Sequence, residues 1–354
     1  MEFALSAGQK MMQESVNRTL ERVCPLDRVK AAVNADEAIA RDAWDALVEL
    51  GVPALLIPEE HGGLGLSLLD AALVSEMLGR HAAPVPFIGS CVLAPLALRD
   101  GVVGKEWLPK LASGKAIAGA AISEKIAGAR DGAGVAAANG KLNGKALFAL
   151  DSGAAGIFIV ADREGRLHLV DAKAKGLEKI ALTAIDQTRS LGELNFANVE
   201  ATPLDVPLER LRNAGWIMLA ADTLGAGTRM IEKSVDYARE RKQFGRVIGS
   251  FQAVKHMCAE MAAELEPCRA LVWYAAHAFD AIPDESALTA AHAKAHLSEV
   301  GRFVARTATE VHGGIGITDL LGLHYWFKRI GLNRALLGGP ERVRHLAAEM
   351  QGFA

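Results

Sequence analysis

The sequence has few cysteines, no surplus of positive charge and no long apolar segment. Its four cysteines, Cys24, Cys91, Cys258 and Cys268, show no CxxC pair or other metal-binding spacing, so reduced thiols in a cytoplasmic protein are expected. Lys and Arg total 39 against 42 Asp and Glu, a net charge of −3, which argues against a nucleic-acid partner. No apolar run approaches the ~20 residues of a membrane span. The N-terminus lacks a basic segment followed by an apolar one, so neither a secretory signal nor a membrane partner is expected.

The composition and length of the chain indicate a folded protein with several domains. Hydrophobic residues make up 51% and charged residues 23% of the 354 residues, which excludes wholesale disorder and allows two or three domains. Residues 1–115 place apolar residues at helical spacing, residues 116–207 alternate apolar and polar residues, and residues 208–354 return to long helical patterns. This order predicts an α+β fold with an N-terminal helical domain, a central antiparallel β domain and a C-terminal four-helix bundle.

Local signals refine this prediction. Asn139-Gly140 predicts a tight β-hairpin, and no GxGxxG follows any predicted strand, so a dinucleotide-binding Rossmann unit finds no support. In the last region we expect a helix over residues 252–280 with a kink at Pro267. The next helix is expected to begin with Asp284 as its N-cap and to end at Gly313-Gly314.

The basic segment at residues 237–245 is one candidate for ligand binding. Its cations close a long predicted helix, where they complement the helix dipole without any ligand. Alternatively, Arg241 acts as a guanidinium fork for pyrophosphate oxygens, with Phe244 as an apolar surface for a ring. The pattern alone leaves both interpretations open.

Three further patterns each allow two interpretations. The glycines of residues 310–318 either end a helix or let a phosphate or sugar approach the backbone closely. Residues 337–344 favour a simple helix start at Pro340, with an anion site at that N-terminus as the alternative. His292 and His296 share a helix face, but no glutamate follows the first histidine and no third ligand is apparent, so no metal site is predicted.

Together, in this order and spacing, the segments resemble the acyl-CoA dehydrogenase flavoprotein family over almost the whole chain. Residues 57–66 resemble the family's PEEYGGLG segment, and residues 108–114 resemble the lead-in to its middle domain. Residues 241–245 with Gln252 are similar to the family's RxQFG…Q signature, and residues 311–316 are similar to the glycine turn that follows.

The resemblance implies an FAD enzyme that desaturates an acyl-CoA thioester between its α and β carbons. A carboxylate removes the α-proton, and the β-hydrogen leaves as hydride to flavin N5. The family usually forms a dimer of dimers in which the isoalloxazine lies against the β domain of one subunit while the bundle of its neighbour holds the ADP half. The residues that match the neighbour-donated positions are Arg241, Gln243, Phe244, Gln252, Glu310, Gly313 and Gly314. Glu310 stands where the family usually has Gln, and the Ser123 hydroxyl matches a position facing the flavin pyrimidine.

The residues that would serve the chain's own site depart from the family pattern. Leu337 stands at the glutamate of the family's YEGT turn, and Gly215 stands at the alternative base position on the first bundle helix. Neither position therefore supplies the catalytic carboxylate. In the segment that corresponds to TEPxxGSD, Lys125 replaces the proline and Ala129 replaces the substrate-contacting serine. In the strand that corresponds to WITN, Leu150 lacks the hydroxyl that usually meets flavin N5.

This asymmetry favours the hypothesis that the chain is the degenerate subunit of an α2β2 acyl-CoA dehydrogenase, completed by a homologous partner that brings the glutamate. The resemblance associates this type with bulky acyl-CoA substrates such as steroid side chains. Three alternatives stay open: an active homotetramer with a displaced base, for which Glu310 and Asp151 are candidates, a flavin oxidase or monooxygenase on the same fold, and a non-catalytic paralogue without flavin.

Overall fold

The computed structural model describes residues 4–128, 130 and 132–353. Its first part is helical, as predicted. The helices of this part are α1 (Ala7–Val23), α2 (Leu26–Asn34), α3 (Arg41–Glu49), α4 (Leu68–His81), α5 (Ala94–Leu98) and α6 (Gly104–Ala112). A further short helix, α7 (Ser123–Ala127), lies inside the region predicted to be the β domain. The Ser6 hydroxyl oxygen accepts a hydrogen bond from the Gln9 N–H at 3.1 Å, which fixes the start of α1 because this N–H has no partner within the helix.

The middle of the chain forms one sheet. Its strands are β1 (Ala118–Ala121), β2 (Gly134–Ala138), β3 (Lys141–Leu150), β4 (Ile157–Ala161), β5 (Leu167–Asp171), β6 (Leu177–Leu182), β7 (Leu191–Glu200) and β8 (Thr202–Leu204). Along the sheet they are ordered β6-β7-β3-β1-β4-β5-β8, and β2 pairs with β3. All pairings among the described residues are antiparallel except β1 with β4, which is parallel. The sheet is therefore mixed, and the prediction of a purely antiparallel sheet is wrong for this pair.

The predicted hairpin is confirmed. Residues 139 and 140 join β2 to β3 with φ values of 50° and 72°. Positive φ at both central residues defines a type I′ turn, whose twist matches the flanking strands. The sequence has another Asn-Gly pair four residues on, Asn143-Gly144, and it forms no turn between strands: it lies inside β3, where the pairing with β7 shifts register.

The C-terminal helices are α8 (Leu208–Glu240), α9 (Gln252–Ala281), α10 (Pro283–His312), α11 (Leu323–Ala335) and α12 (Pro340–Met350), with a two-stranded ribbon of β9 (Lys242–Gln243) and β10 (Arg246–Val247) between α8 and α9. Helix α9 continues through Pro267. Asp284 is not the N-cap of α10: Ile282 holds that place, Pro283 opens the helix, and Asp284 lies in the first turn. The expected stop after His312 and the helix start at Pro340 are confirmed.

A buried cluster of charges ties the helical regions together. Asp222 on α8 accepts from Arg329 on α11 at 2.7 Å, and Arg189 from the chain between β6 and β7 lies 2.9 Å from the same carboxylate. Arg329 also donates to the carbonyl oxygen of Ala83, just after α4, at 3.2 Å. Because a buried charge without a partner is costly, these contacts fix α11 against α4 and α8.

No helix in the part of the chain that the structure describes is long and apolar enough to cross a membrane. The last helix before the sheet ends at Ala112 and the last strand before the bundle ends at Leu204, while the domain limits at residues 115/116 and 207/208 stay predictions.

Candidate functional site

A cavity of about 280 Å³ lies where the turn between α11 and α12 faces α7 and β3. We call it the α7–α11 cavity. Its walls on the α11 side come from Leu332 and Ala335 of α11 and from the turn Leu336–Gly339. The opposite walls come from residues 123–130 in and after α7 and from Leu147 and Phe148 of β3; the lining residues there include Ser123, Glu124, Ala127, Gly128 and Arg130.

The two positions where the resemblance places a base meet in this wall. Leu337 lines the cavity and is only 1% exposed. A Cβ atom added at Gly215 would lie 2.6 Å from Leu337 Cδ1, so the leucine side chain occupies the space above Gly215. Neither residue carries an ionisable group, and this part of the cavity wall is a hydrocarbon surface that cannot accept a proton.

The turn that carries Leu337 is held from two helices. Leu337 has a φ of 55°, an uncommon conformation for a branched side chain, and its carbonyl oxygen accepts a hydrogen bond from Trp216 Nε1 on α8 at 2.7 Å. Lys294 on α10 is buried and donates to the carbonyl oxygens of Asn333 and Arg334 at the end of α11. Burial lowers the pKa of Lys294 to about 7. These contacts fix the cavity wall, since α11 ends immediately before the turn.

The opposite wall contains the sequence-predicted Ser123. Its hydroxyl donates to the Phe148 carbonyl oxygen at 3.3 Å, and the Arg130 guanidinium lies 4.9 Å from the centre of the Phe148 ring. Arg342 of α12 donates to the Ile126 carbonyl oxygen of α7 at 2.8 Å, which joins the two walls. Lys125 points away, donating to the Arg163 carbonyl oxygen at 3.0 Å. Ala129, the predicted replacement for the substrate-contacting serine, lies outside the described residues.

Glu124 is the acidic side chain that lines the cavity among the described residues. Its carboxylate accepts a hydrogen bond from the Leu147 N–H, and burial raises its pKa above the usual value. Glu124 stands beside Ser123 in the segment that corresponds to the family's TEPxxGSD stretch, but no residue pattern predicted a role for it. Because one carboxylate oxygen accepts a hydrogen bond from the backbone of β3, Glu124 links α7 to β3.

The two candidates for a displaced base lie elsewhere. Asp151 is 7% exposed and accepts a hydrogen bond from the Gly89 N–H at 2.7 Å, and Glu310 is exposed near the end of α10. Neither lines the α7–α11 cavity. Leu150, the residue at the missing hydroxyl, is buried in the sheet opposite Ala120 and also lies outside the cavity lining.

The remaining candidates gather at an exposed end of the bundle. After α8 ends, residues 241–247 form what we call the basic ribbon, whose turn at Phe244 and Gly245 has φ values of 51° and 76°. Phe244 is 91% exposed, and its ring lies edge-on to Phe251, 6.1 Å away between centroids. Arg241, Gln243 and Gln252 are exposed beside it, and Arg241 forms no ion pair with any residue in the described ranges.

A ring stack joins this ribbon to the second candidate segment. Tyr237, one turn before Arg241, stacks on His312 with 4.7 Å between ring centroids. His312 immediately precedes Gly313 and Gly314, and no atom lies within 4 Å of a Cβ built on either glycine. The backbone there is open to a ligand, so the residues present fit a bound diphosphate and ring. The structure thus brings seven of the eight predicted cofactor residues to one surface and leaves Ser123 in the cavity.

The two histidines of α10 form no metal centre with other residues in the described ranges. His292 and His296 are both exposed on α10, and these residues belong to no group of three or more metal-ligating side chains in the part of the chain with described placement.

Comparison with known proteins defines the class. Residues 6–115 match the acyl-CoA dehydrogenase N-terminal domain, and residues 205–351 match the acyl-CoA dehydrogenase C-terminal domain. The chain is similar to acyl-CoA dehydrogenase IpdE2 of Mycolicibacterium smegmatis, with 31% identity over 98% of this chain and 100% of the relative. It is also similar to acyl-CoA dehydrogenase IpdE2 of Mycobacterium tuberculosis, with 33% identity over 97% of each chain.

Comparison with solved structures points to the same family. The ChsE4-ChsE5 complex from Mycobacterium tuberculosis superposes with a TM-score of 0.90 and 25% identity over 99% of both chains. A variant of the Tcur3481-Tcur3483 steroid ACAD superposes with a TM-score of 0.89 and 26% identity over 98% of both chains. The chain therefore belongs to the acyl-CoA dehydrogenase family. It is an oxidoreductase of an FAD-binding family, and the predicted fold class and enzyme class are confirmed.

Proposed function

We propose that this chain is the base-lacking subunit of a heteromeric acyl-CoA dehydrogenase. In this proposal its basic ribbon and glycine segment hold the ADP half of an FAD whose ring lies in a homologous partner. The partner supplies the glutamate that removes the α-proton of an acyl-CoA thioester. FAD supplies the acceptor for the β-hydride when it is bound.

The contact between Leu337 and Gly215 carries the proposal. Either position would need a carboxylate to act as general base, yet one carries a methyl-branched chain and the other carries none. The leucine is buried against the cavity, so neither family base position offers a proton acceptor at this wall. Glu124, the carboxylate that lines the cavity among the described residues, is bonded to the backbone of β3 and stands at neither position.

The exposed end of the bundle supports the other half of the proposal. Arg241 is exposed and free of ion pairs with described residues, which suits bidentate binding of a diphosphate. An open glycine backbone lies on the same surface. The apolar ring of Phe244 is almost fully exposed, as expected of a side chain that a ligand or neighbour covers.

The similarity of this chain to two solved structures supports the proposals of a heteromeric assembly and a bulky substrate. Two of the similar structures are described as a complex of two differently named chains and as a steroid ACAD. We infer a bulky acyl-CoA thioester as the substrate class of the assembled enzyme.

Arg241→Ala tests the proposed cofactor role. The assembled complex is expected to bind FAD about 10- to 100-fold more weakly, because hydrogen bonds to a charged group contribute about 1.5–3 kcal/mol each. Flavin absorbance near 450 nm, measured per complex after gel filtration, reports the loss. Arg239→Ala is the matched control, since Arg239 is an exposed arginine in the last turn of the same helix.

Two outcomes would contradict the proposal. Unchanged flavin content in the Arg241→Ala complex would exclude the cofactor role of the ribbon. Dehydrogenation by the isolated wild-type chain, abolished by Glu124→Gln, would instead favour an active homomer that uses the carboxylate of the α7–α11 cavity.

A further inference from the structure

The stack of Tyr237 on His312 lies where the last turns of α8 meet the end of α10. Its ring centroids are 4.7 Å apart, and the two ring planes differ by 24°. His312 is buried and Tyr237 is half-buried, so the rings belong to the packing between the two helices. Aromatic rings prefer offset stacking at about this distance, which gives the contact a defined geometry.

Tyr237 is bonded to the backbone of Arg241. The carbonyl oxygen of Tyr237 accepts a hydrogen bond from the Arg241 N–H at 2.9 Å, and this bond closes α8. The carbonyl oxygen of Arg241 in turn accepts a hydrogen bond from the Ile248 N–H at 2.7 Å, immediately after the basic ribbon. A shift of Tyr237 therefore moves the residue to which we assign the diphosphate.

His312 contacts the glycine segment in a similar way. Its Nδ1 donates to the Ala308 carbonyl oxygen at 2.7 Å, since a carbonyl oxygen can only accept. Gly313 follows with a φ of 64° and a ψ of −149°, a conformation that is essentially restricted to glycine. The chain then folds back, because a Cβ built on Gly316 would lie 2.9 Å from the Cβ of His312. The glycine segment thus packs directly on this histidine.

The ring contact does not depend on charge. Burial lowers the pKa of His312 below the usual value, and the nearby Lys233 ammonium acts in the same direction. The imidazole is therefore neutral near pH 7, with its proton assigned to Nδ1 by the bond to Ala308. Since both rings are uncharged, another aromatic side chain can take the place of either one.

We propose that Tyr237 and His312 are positioning residues of the cofactor site. Their stack sets where the Arg241 guanidinium lies relative to the open backbone of Gly313 and Gly314, so that both can hold one diphosphate. The inference rests on the proposed function, which assigns these two segments to the ADP half of FAD. Without the stack the segments would have to be ordered when the cofactor binds, and this ordering lowers the affinity.

Removal of either ring tests this role. The chain is assembled with the homologous subunit that copurifies with it, FAD is removed, and rebinding is followed by the quenching of FAD fluorescence. Tyr237→Leu and His312→Leu are each expected to weaken FAD binding about 3- to 10-fold. His312→Phe, which restores an aromatic ring, is expected to recover most of this loss. His292→Leu is the matched control, because His292 is an exposed histidine of the same helix.

A double-mutant cycle separates positioning from packing. In an Arg241→Ala background the place of that side chain no longer matters, so Tyr237→Leu is expected to change FAD affinity by less than about twofold. Urea unfolding followed by circular dichroism checks that each variant folds. A pair that only stabilises the bundle would weaken binding by the same factor in both backgrounds. That result, or unchanged FAD affinity in folded Tyr237→Leu and His312→Leu variants, would overturn the inference.

The two proposals fail in different measurements. If Arg241→Ala leaves FAD affinity unchanged, the proposed cofactor role of the basic ribbon is wrong, and the positioning role falls with it. If Arg241→Ala weakens FAD binding but loss of either ring does not, the positioning role alone is wrong.

Discussion

Asp151 is a buried carboxyl whose environment opposes its negative charge. Burial raises its pKa from the usual 3.8 to about 6, against the stabilising effect of the Gly89 N–H. Between these two values the folded chain binds more protons than the unfolded chain, so the free energy of unfolding falls as pH rises. Above pH 6, ionised Asp151 lowers the free energy of unfolding by the full amount, about 3 kcal/mol.

Asp151→Asn is therefore expected to stabilise the protein at pH 7 by up to about 3 kcal/mol and to have little effect at pH 4. The amide keeps an acceptor for the Gly89 N–H without the charge. Urea unfolding at pH 4, 5, 6 and 7 measures the difference, with the exposed residue exchange Asp171→Asn as control. An equal offset at every pH would contradict the assignment.

The Leu337–Gly215 contact predicts coupling between two substitutions. Gly215→Ala adds a methyl group 2.6 Å from Leu337 Cδ1, which offsets the roughly 1 kcal/mol that alanine contributes in a helix interior. In a Leu337→Ala background that space is free, so the same change should stabilise α8. A double-mutant cycle by chemical unfolding is expected to give a coupling of about 0.5–3 kcal/mol. Additive effects would mean that the two side chains do not share this space.

For single residues, the sequence predicted which position a residue occupies better than it predicted what surrounds that residue in the fold. The match to a family turn placed Leu337, and the structure adds that its side chain fills the gap left by Gly215. The sequence did not predict the bonds that Glu124 and Lys294 form, because a carboxylate bonded to a neighbouring strand and a lysine bonded to the end of another helix are tertiary contacts. Whether the predicted residues bind FAD stays a prediction.

The C-terminus of helix α11 is bonded to a buried lysine. The Nζ of Lys294 donates to two terminal carbonyl oxygens, which the helix itself leaves without partners. Burial lowers its pKa from 10.5 to about 7. Above pH 7 the folded chain binds fewer protons than the unfolded chain, so stability should rise with pH toward 10.

Lys294→Met removes this dependence. The wild-type free energy of unfolding, relative to that of the variant, is expected to increase by about 1.4 kcal/mol per pH unit between pH 7 and 10. Lys255→Met, at an exposed position of α9, serves as control. A difference that does not change with pH would show that the buried lysine keeps its ordinary titration.

Elements with regular periodicity were predictable, and those defined by contacts were not. The long helices and the Asn139-Gly140 hairpin follow from local spacing and turn chemistry, and both are confirmed. The parallel pairing of β1 with β4 joins strands that are distant in sequence. Asp284 is a favourable N-cap residue by type, but Pro283 already fits the first helical position and opens α10 one residue earlier.

The buried charges around Asp222 connect the regions of the whole molecule. Burial opposes ionisation of Asp222, but Arg189 and Arg329 hold its pKa below the usual value. Asp222→Asn leaves two buried guanidiniums with Asp186, 3.9 Å from Arg189, as the remaining carboxylate beside them, and is expected to lower the free energy of unfolding by about 3–5 kcal/mol. Thermal and urea unfolding measure this loss. Glu14→Gln, which breaks an exposed ion pair with Arg18, should cost less than about 1 kcal/mol, and a similar loss in both variants would refute the role of the cluster.

The packing of residues 215 and 337 also limits how such a chain could regain a catalytic acid in evolution. An acid regained at position 215 would meet the leucine before it reached the cavity, since even a Cβ there lies 2.6 Å from that side chain. Residue 337 must shrink first, and that step removes buried hydrocarbon with no immediate benefit. At position 215 an acid would thus return only through a costly intermediate, so in the heteromer that we propose this route back to a base of the chain's own is closed to single substitutions.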